Sequence, residues 1–160
     1  QGLPEKQGFE PNPQFIMLHT FAHLLINQLT FDCGYGSSSL RERVYSSNHQ
    51  AGVLIYTADA DSEGSMGGLV EMGAPEIIGE SIYKAVSRAK WCSSDPVCRE
   101  LEVQGIGNLN GAACHACSII SETSCTFSNI LLNRLLVAGD GRETPSGGYE
   151  PMGFFNDVVK

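Results

Sequence analysis

A chain of 160 residues, 42% of them hydrophobic, can bury one sizeable core without disulfides to hold it together. Its net charge of -8, from 18 acidic against 10 basic side chains, repels a phosphate backbone, and no basic stripe offsets it, so unaided nucleic-acid binding is disfavoured. The uncharged stretch FIMLHTFAHLLINQL holds five polar residues and is shorter than the roughly 20 mostly apolar residues of a membrane span, which excludes a spanning helix there.

Residues 1–14, QGLPEKQGFEPNPQ, start on Gln1 and lack the basic start and apolar stretch of a secretory signal. They read as a linker or surface arm of a cytoplasmic chain that is trimmed or cut from a larger one. A helix is expected over Phe15–Leu29, with Leu18, Ala22, Leu25 and Leu29 on one face and Phe15, Phe21 and Leu24 widening the stripe. His19 and His23, four apart, share a face of it. CGYGSSS stops that helix, and Ser39 followed by Glu42 is a capping-box pattern that predicts a short helix through LRERVY.

AGVLIYTA, β-branched and aromatic between turn signals, predicts a buried strand. It leads into the acidic, Gly-rich loop DADSEGSMGGL, at the strand end where open α/β sheets tend to place their sites, with MGGL expected as a tight turn. Pro75 opens a second long helix, EIIGESIYKAVSRAKW, with Ile78, Ile82, Ala85 and Ala89 available to the core. After WCSSDPVC, a Gly/Asn stretch and GAACHAC, a last helix is expected over TFSNILLNRLLV, with Phe127, Ile130, Leu131, Leu135 and Leu136 facing in. Residues 138–160 read as a loop-rich tail with a final strand or docking segment, which leaves 15–137 as the domain proper.

Cysteine carries the chemistry. Cys114 and Cys117 form a C-x-x-C knuckle, a spacing that aims two thiolates at one metal. Cys92 and Cys98 supply a wider pair with Pro96 in the turn, so four sulfurs can close a tetrahedral zinc site. Cys125 competes for one corner, and His115 does so less well because it shares the knuckle's turn. Disulfides, a nucleophilic cysteine paired with a histidine, and inert thiols are the other readings; Cys33 is expected as a buried thiol after the first helix. The fold class that follows is α/β: a small sheet with packed helices and a zinc-stapled loop region.

His19, His23 and the acidic loop (Asp59, Asp61, Glu63, Ser65) form a second constellation, readable as packed histidines satisfied by a carboxylate or as the metal site of a hydrolase or nuclease. The residues between the two histidines, Thr20, Phe21 and Ala22, include no Glu of the H-E-x-x-H kind, the general base of zinc hydrolases.

Taken in order, LHTFAHLLI, CGYGSSSLRERVYS, VLIYTADADSEGSMGGLVEMG, WCSSDPVC, LNGAACHAC and SETSC with NILLNRLL resemble the helicase-associated zinc-binding domain of MrfA-type DNA-repair helicases, in its DrmB-like branch from DISARM phage defence. The resemblance spans roughly Phe15 to Leu136. It implies zinc held by Cys92 with Cys98 and Cys114 with Cys117, although MrfA-like members pack the first pair more tightly, which keeps Cys125 as an alternative to Cys98. It also implies a non-catalytic accessory domain whose partner is a helicase or larger defence complex, with DNA met through that complex. No G-x-x-x-x-G-K-[ST] occurs, so these residues are not themselves an ATP-driven motor.

Overall fold

The computed structural model describes residues 11–36, 38–57, 66–139, 153–155 and 157–158. Its first helix, α1 (Pro13–Cys33), begins where Asn12 accepts the Phe15 N–H at 2.8 Å and Pro13 fills a position with no intrahelical donor to lose. It ends at Gly34, whose φ of 70° is the left-handed cap that glycine adopts without strain. The helix thus starts inside the expected arm and outruns Leu29. Ala22 through Ile26 are all buried, since this helix is packed against residues 40–57, 75–89 and 135–138, and its burial runs round the cylinder instead of following one stripe.

Residues 40–46 overturn the predicted helix through LRERVY. They form β1 (Leu40–Ser46), paired antiparallel with β2 (Ala51–Thr57) in a register running from Leu40 opposite Thr57 to Ser46 opposite Ala51. Leu40 and Glu42 point to the core while Arg41 and Arg43 face solvent, a period of two that tertiary burial enforces over the capping-box signal. The Glu42 backbone is also committed sideways: its N–H donates to the Ser124 carbonyl at 3.2 Å and its carbonyl accepts from Thr126 Oγ1 at 3.1 Å. β2 is a strand as expected but not a buried one, because a two-stranded hairpin has one open face, where Leu54 and Tyr56 lie exposed. The sheet is therefore no open parallel one with a site at its strand ends.

MGGL, expected as a tight turn, lies in α2 (Met66–Met72), whose Leu69 N–H donates to the Tyr35 hydroxyl at 3.1 Å. In α3 (Pro75–Ala89) the buried residues Ser81, Ala85, Val86 and Ala89 are small, so the helix lies close to α1, with Ile78 and Ile82 packed at the margin of the core. A polar seam joins the two helices: Asp32 accepts from Gln28 at 2.8 Å and Ser81 at 3.0 Å, and Arg88 donates to Gln28 at 3.1 Å. After α4 (Val97–Glu100) the chain is mostly turns as far as α5 (Leu135–Ala138).

The last predicted helix is reduced to that final turn. Ser128, Asn129 and Leu131 have φ of 54°, 56° and 61°, which no right-handed helix accommodates. Asparagines replace the helical hydrogen bonds: the Asn129 side chain both accepts from and donates to the Ile120 backbone at 3.0 Å, and Asn110 donates to the Asn129 carbonyl at 2.8 Å. Phe127, Ile130 and Leu131 still reach the core beside Phe15, Leu25 and Leu29, whereas Leu135 and Leu136 are half-buried. In the tail, the Phe154 and Phe155 N–H groups donate to Leu136 and Val137 carbonyls at 3.0 Å, and Phe155 stacks on Phe21 at 5.4 Å, a docking segment. Among the described residues the architecture is mixed α/β, a two-stranded antiparallel sheet with five helices. None of those helices is long and apolar enough to cross a membrane.

Candidate metal centre

Three turns bring the sulfurs together. Cys92 follows the last turn of α3, Cys98 lies in α4, and Cys114 and Cys117 sit on a turn closed by the Cys117 and Ser118 N–H groups donating to the Cys114 carbonyl. The sulfur separations are 3.5 Å for Cys92–Cys114, 3.8 Å for Cys114–Cys117 and 3.9 Å for Cys98–Cys117, with all four sulfurs within 4.8 Å of one another. A tetrahedron with zinc–sulfur bonds of about 2.3 Å has edges of about 3.8 Å, so the set fits zinc. Donors surround it as thiolates require: the Cys114 N–H lies 3.3 Å and the Ser118 hydroxyl 3.3 Å from Cys117 Sγ, and the Ser94 N–H 3.4 Å from Cys92 Sγ.

The same residues make a lone, metal-free cluster electrostatically awkward. Burial pushes the Cys98 thiol up, and the neighbouring Cys117 and Cys114 sulfurs push it further. Cys117 is raised chiefly by burial too. Burial would also raise Cys114, yet the backbone at Ala116 and the Cys92 thiol bring it down to about 7. Four thiolates share so small a volume only around a cation that binds them all.

A buried arginine supports the frame. Arg134, fully enclosed, donates to the Ala89 carbonyl at 2.7 Å and to the Asp95 carboxylate, whose other oxygen accepts the Cys92 N–H at 2.9 Å. Burial alone would lower its pKa, but Asp95 outweighs that and raises it. Gln104 bonds the Cys98 carbonyl at 2.9 Å and the Gly111 carbonyl at 2.7 Å, tying the two halves of the loop region together.

The other sequence candidates fall elsewhere. His115 is exposed, Cys33 is half-exposed at the end of α1 instead of buried, and Asp59, Asp61, Glu63 and Ser65 lie outside the described residues. Cys125 sits in a second enclosed group with His19, His23 and Glu42. There His19 Nε2 is 2.9 Å from Glu42 Oε1 and 3.3 Å from Cys125 Sγ. Burial alone would push the Glu42 carboxyl up, yet the facing His19 and His23 rings hold it at about 2. Burial lowers His19 and raises Cys125 to about 12. Sequence reasoning placed neither Glu42 nor Cys125 beside the histidines; the alternation of Leu40, Glu42 and Val44 with Arg41, Arg43 and Tyr45 was the signal that puts Glu42 on the core face.

A small α/β unit whose loops converge on a four-thiol cluster defines a zinc-binding domain, and the chain belongs to the MrfA Zn-binding domain family, whose model matches residues 21–118 and so all four clustered cysteines. Zinc is its cofactor. The chain is also 47% identical over 159 residues to the DISARM protein DrmB of Bacillus paralicheniformis (strain ATCC 9945a / NCIMB 11709 / CD-2), a match covering 97% of this chain. It spans 27% of the length of that relative.

Proposed function

We propose that this chain is a non-catalytic accessory domain of a cytoplasmic, DISARM-like anti-phage assembly, working beside a DNA helicase with its zinc held by Cys92, Cys98, Cys114 and Cys117. The observation that carries the reading is the convergence of these four sulfurs at tetrahedral-zinc spacing in a chain so similar to DrmB. The zinc is structural: four protein ligands leave no open position for substrate or water. The domain runs over residues 15–137, and DNA is reached through the assembly, in keeping with the chain's net charge of -8. DNA repair, the setting of MrfA-type helicases, is the nearest variant of this reading.

The rigid loops border a groove between α1 and α3, lined by Phe31, Arg88, Trp91 and His115 among others. Phe31 is 74% and Trp91 68% exposed, and the Arg88 guanidinium lies 5.5 Å from the Phe31 ring centre, a combination suited to a protein partner. What weighs against a hydrolase built on His19, His23 and Glu63 is that both histidines are wholly enclosed. The test is affinity capture from the native host: the tagged chain should retain a helicase and Trp91→Ala should retain several-fold less. Equal capture by both would remove this groove as the docking face, and capture of no helicase would remove the function.

A further inference from the structure

The second buried group is built like a metal site. His19 and His23 come from α1, Glu42 from β1 and Cys125 from the loop that follows the zinc knuckle. One potential ligand atom from each lies within 4.8 Å of all the others, and all four residues are buried. The separations of 3.3 Å from His19 Nε2 to Cys125 Sγ and 3.5 Å from His23 Nε2 to Glu42 Oε1 match the edges, about 3.3 to 3.8 Å, of a coordination tetrahedron with bonds of about 2.0 to 2.3 Å, while the 2.9 Å from His19 Nε2 to Glu42 Oε1 is shorter than such an edge.

The surrounding hydrogen bonds orient these atoms toward a shared centre. His23 Nδ1 lies 2.8 Å from the Ser118 carbonyl, which can only accept, so Nδ1 carries a proton and Nε2 is the nitrogen turned inward toward Glu42. A backbone carbonyl on the far nitrogen is the usual way a metal-ligating histidine is aimed. Cys125 Sγ is met by the Phe127 N–H at 3.3 Å and the Asn129 N–H at 3.2 Å, donors that favour a thiolate. Meanwhile Glu42 Oε1 meets the two imidazoles at 2.9 Å and 3.5 Å, and the buried Glu42 Oε2 has no hydrogen-bond partner among the described residues. An enclosed carboxylate oxygen left unpaired is rare, and a cation at the shared centre accepts lone pairs from the carboxylate and both imidazoles at once.

We propose that His19, His23, Glu42 and Cys125 bind a second metal ion, a divalent borderline cation of the zinc class, in a closed structural site inside the core. Two imidazoles, one carboxylate and one thiolate suit that ion's preferences. The two centres are adjacent along the chain: Ser118 donates its hydroxyl to Cys117 Sγ and presents its carbonyl to His23. The second ion would pin the hairpin and the Cys125 loop onto α1, while the first staples the loops beyond α3.

The experiment is metal analysis with X-ray absorption at the zinc edge on the whole protein, purified without chelators. Two zinc ions per chain are expected, in an averaged shell containing nitrogen or oxygen as well as sulfur. Glu42→Gln and His23→Ala should each halve the metal content and leave an all-sulfur shell; Cys92→Ser should halve it and leave the mixed shell. Should these variants fail to fold, the unmodified protein decides alone. A single zinc per chain, or an all-sulfur shell in the unmodified protein, overturns the second site and shows a metal-free histidine–carboxylate core; loss of the all-sulfur component would instead fault the four-cysteine assignment.

Discussion

Cys98 and Cys125 show how one position decides a role. Both are buried thiols, but Cys98 sits 3.9 Å from Cys117 Sγ whereas Cys125 lies against His19 and accepts two backbone N–H groups. Cys98→Ser should therefore abolish the intense sulfur-to-metal absorption of the cobalt-substituted four-sulfur centre, while Cys125→Ser should keep it. The reverse pattern would make Cys125 the ligand. The Cys114–Cys117 pair was legible because C-x-x-C is a local geometry that needs nothing from the rest of the fold, whereas Cys92 and Cys98 reach it across 22 and 19 residues. The partners of His19 and His23 were not, since Glu42 and Cys125 reach them through a hairpin and a long loop whose placement depends on tertiary packing.

At the scale of elements, α1 and α3 were readable because their apolar residues recur at helical spacing over several turns. Residues 40–46 carried two competing signals, a capping box and a strand alternation, and burial of Leu40 and Glu42 against α1 settled the contest. The segment 126–134 has helical apolar spacing too, yet asparagine side chains satisfy its backbone and allow left-handed residues. That gives a direct test at Asn129. Asn129→Ala removes both bonds to Ile120, strands two buried backbone groups and leaves a poor residue at a φ of 56°. It should cost about 2 to 6 kcal/mol, from roughly 1–3 for each of the two unsatisfied groups, read by urea unfolding. A loss below about 0.5 kcal/mol, the range of an ordinary surface change, would mean the asparagine does not hold the loop.

For the whole molecule, two masses share one chain: an apolar core around α1, and a loop region beyond α3 that is held by turns, Arg134 and Gln104 and gathers four thiols at one point. The first rests mainly on apolar burial and should survive metal loss in part, while the second should depend on zinc, because metal binding and folding are coupled where loops supply the ligands. Thiolates bind zinc only when deprotonated, so protons compete as pH falls, and the stability zinc contributes is present at neutral pH and lost on acidification. The most direct measurement is hydrogen exchange across residues 92–117 of reduced protein with zinc bound and after chelation. The account predicts strong protection with zinc, at least a tenfold loss on its removal, and recovery when zinc is restored. Equal protection in the metal-free, reduced protein would contradict the claim that zinc holds this region.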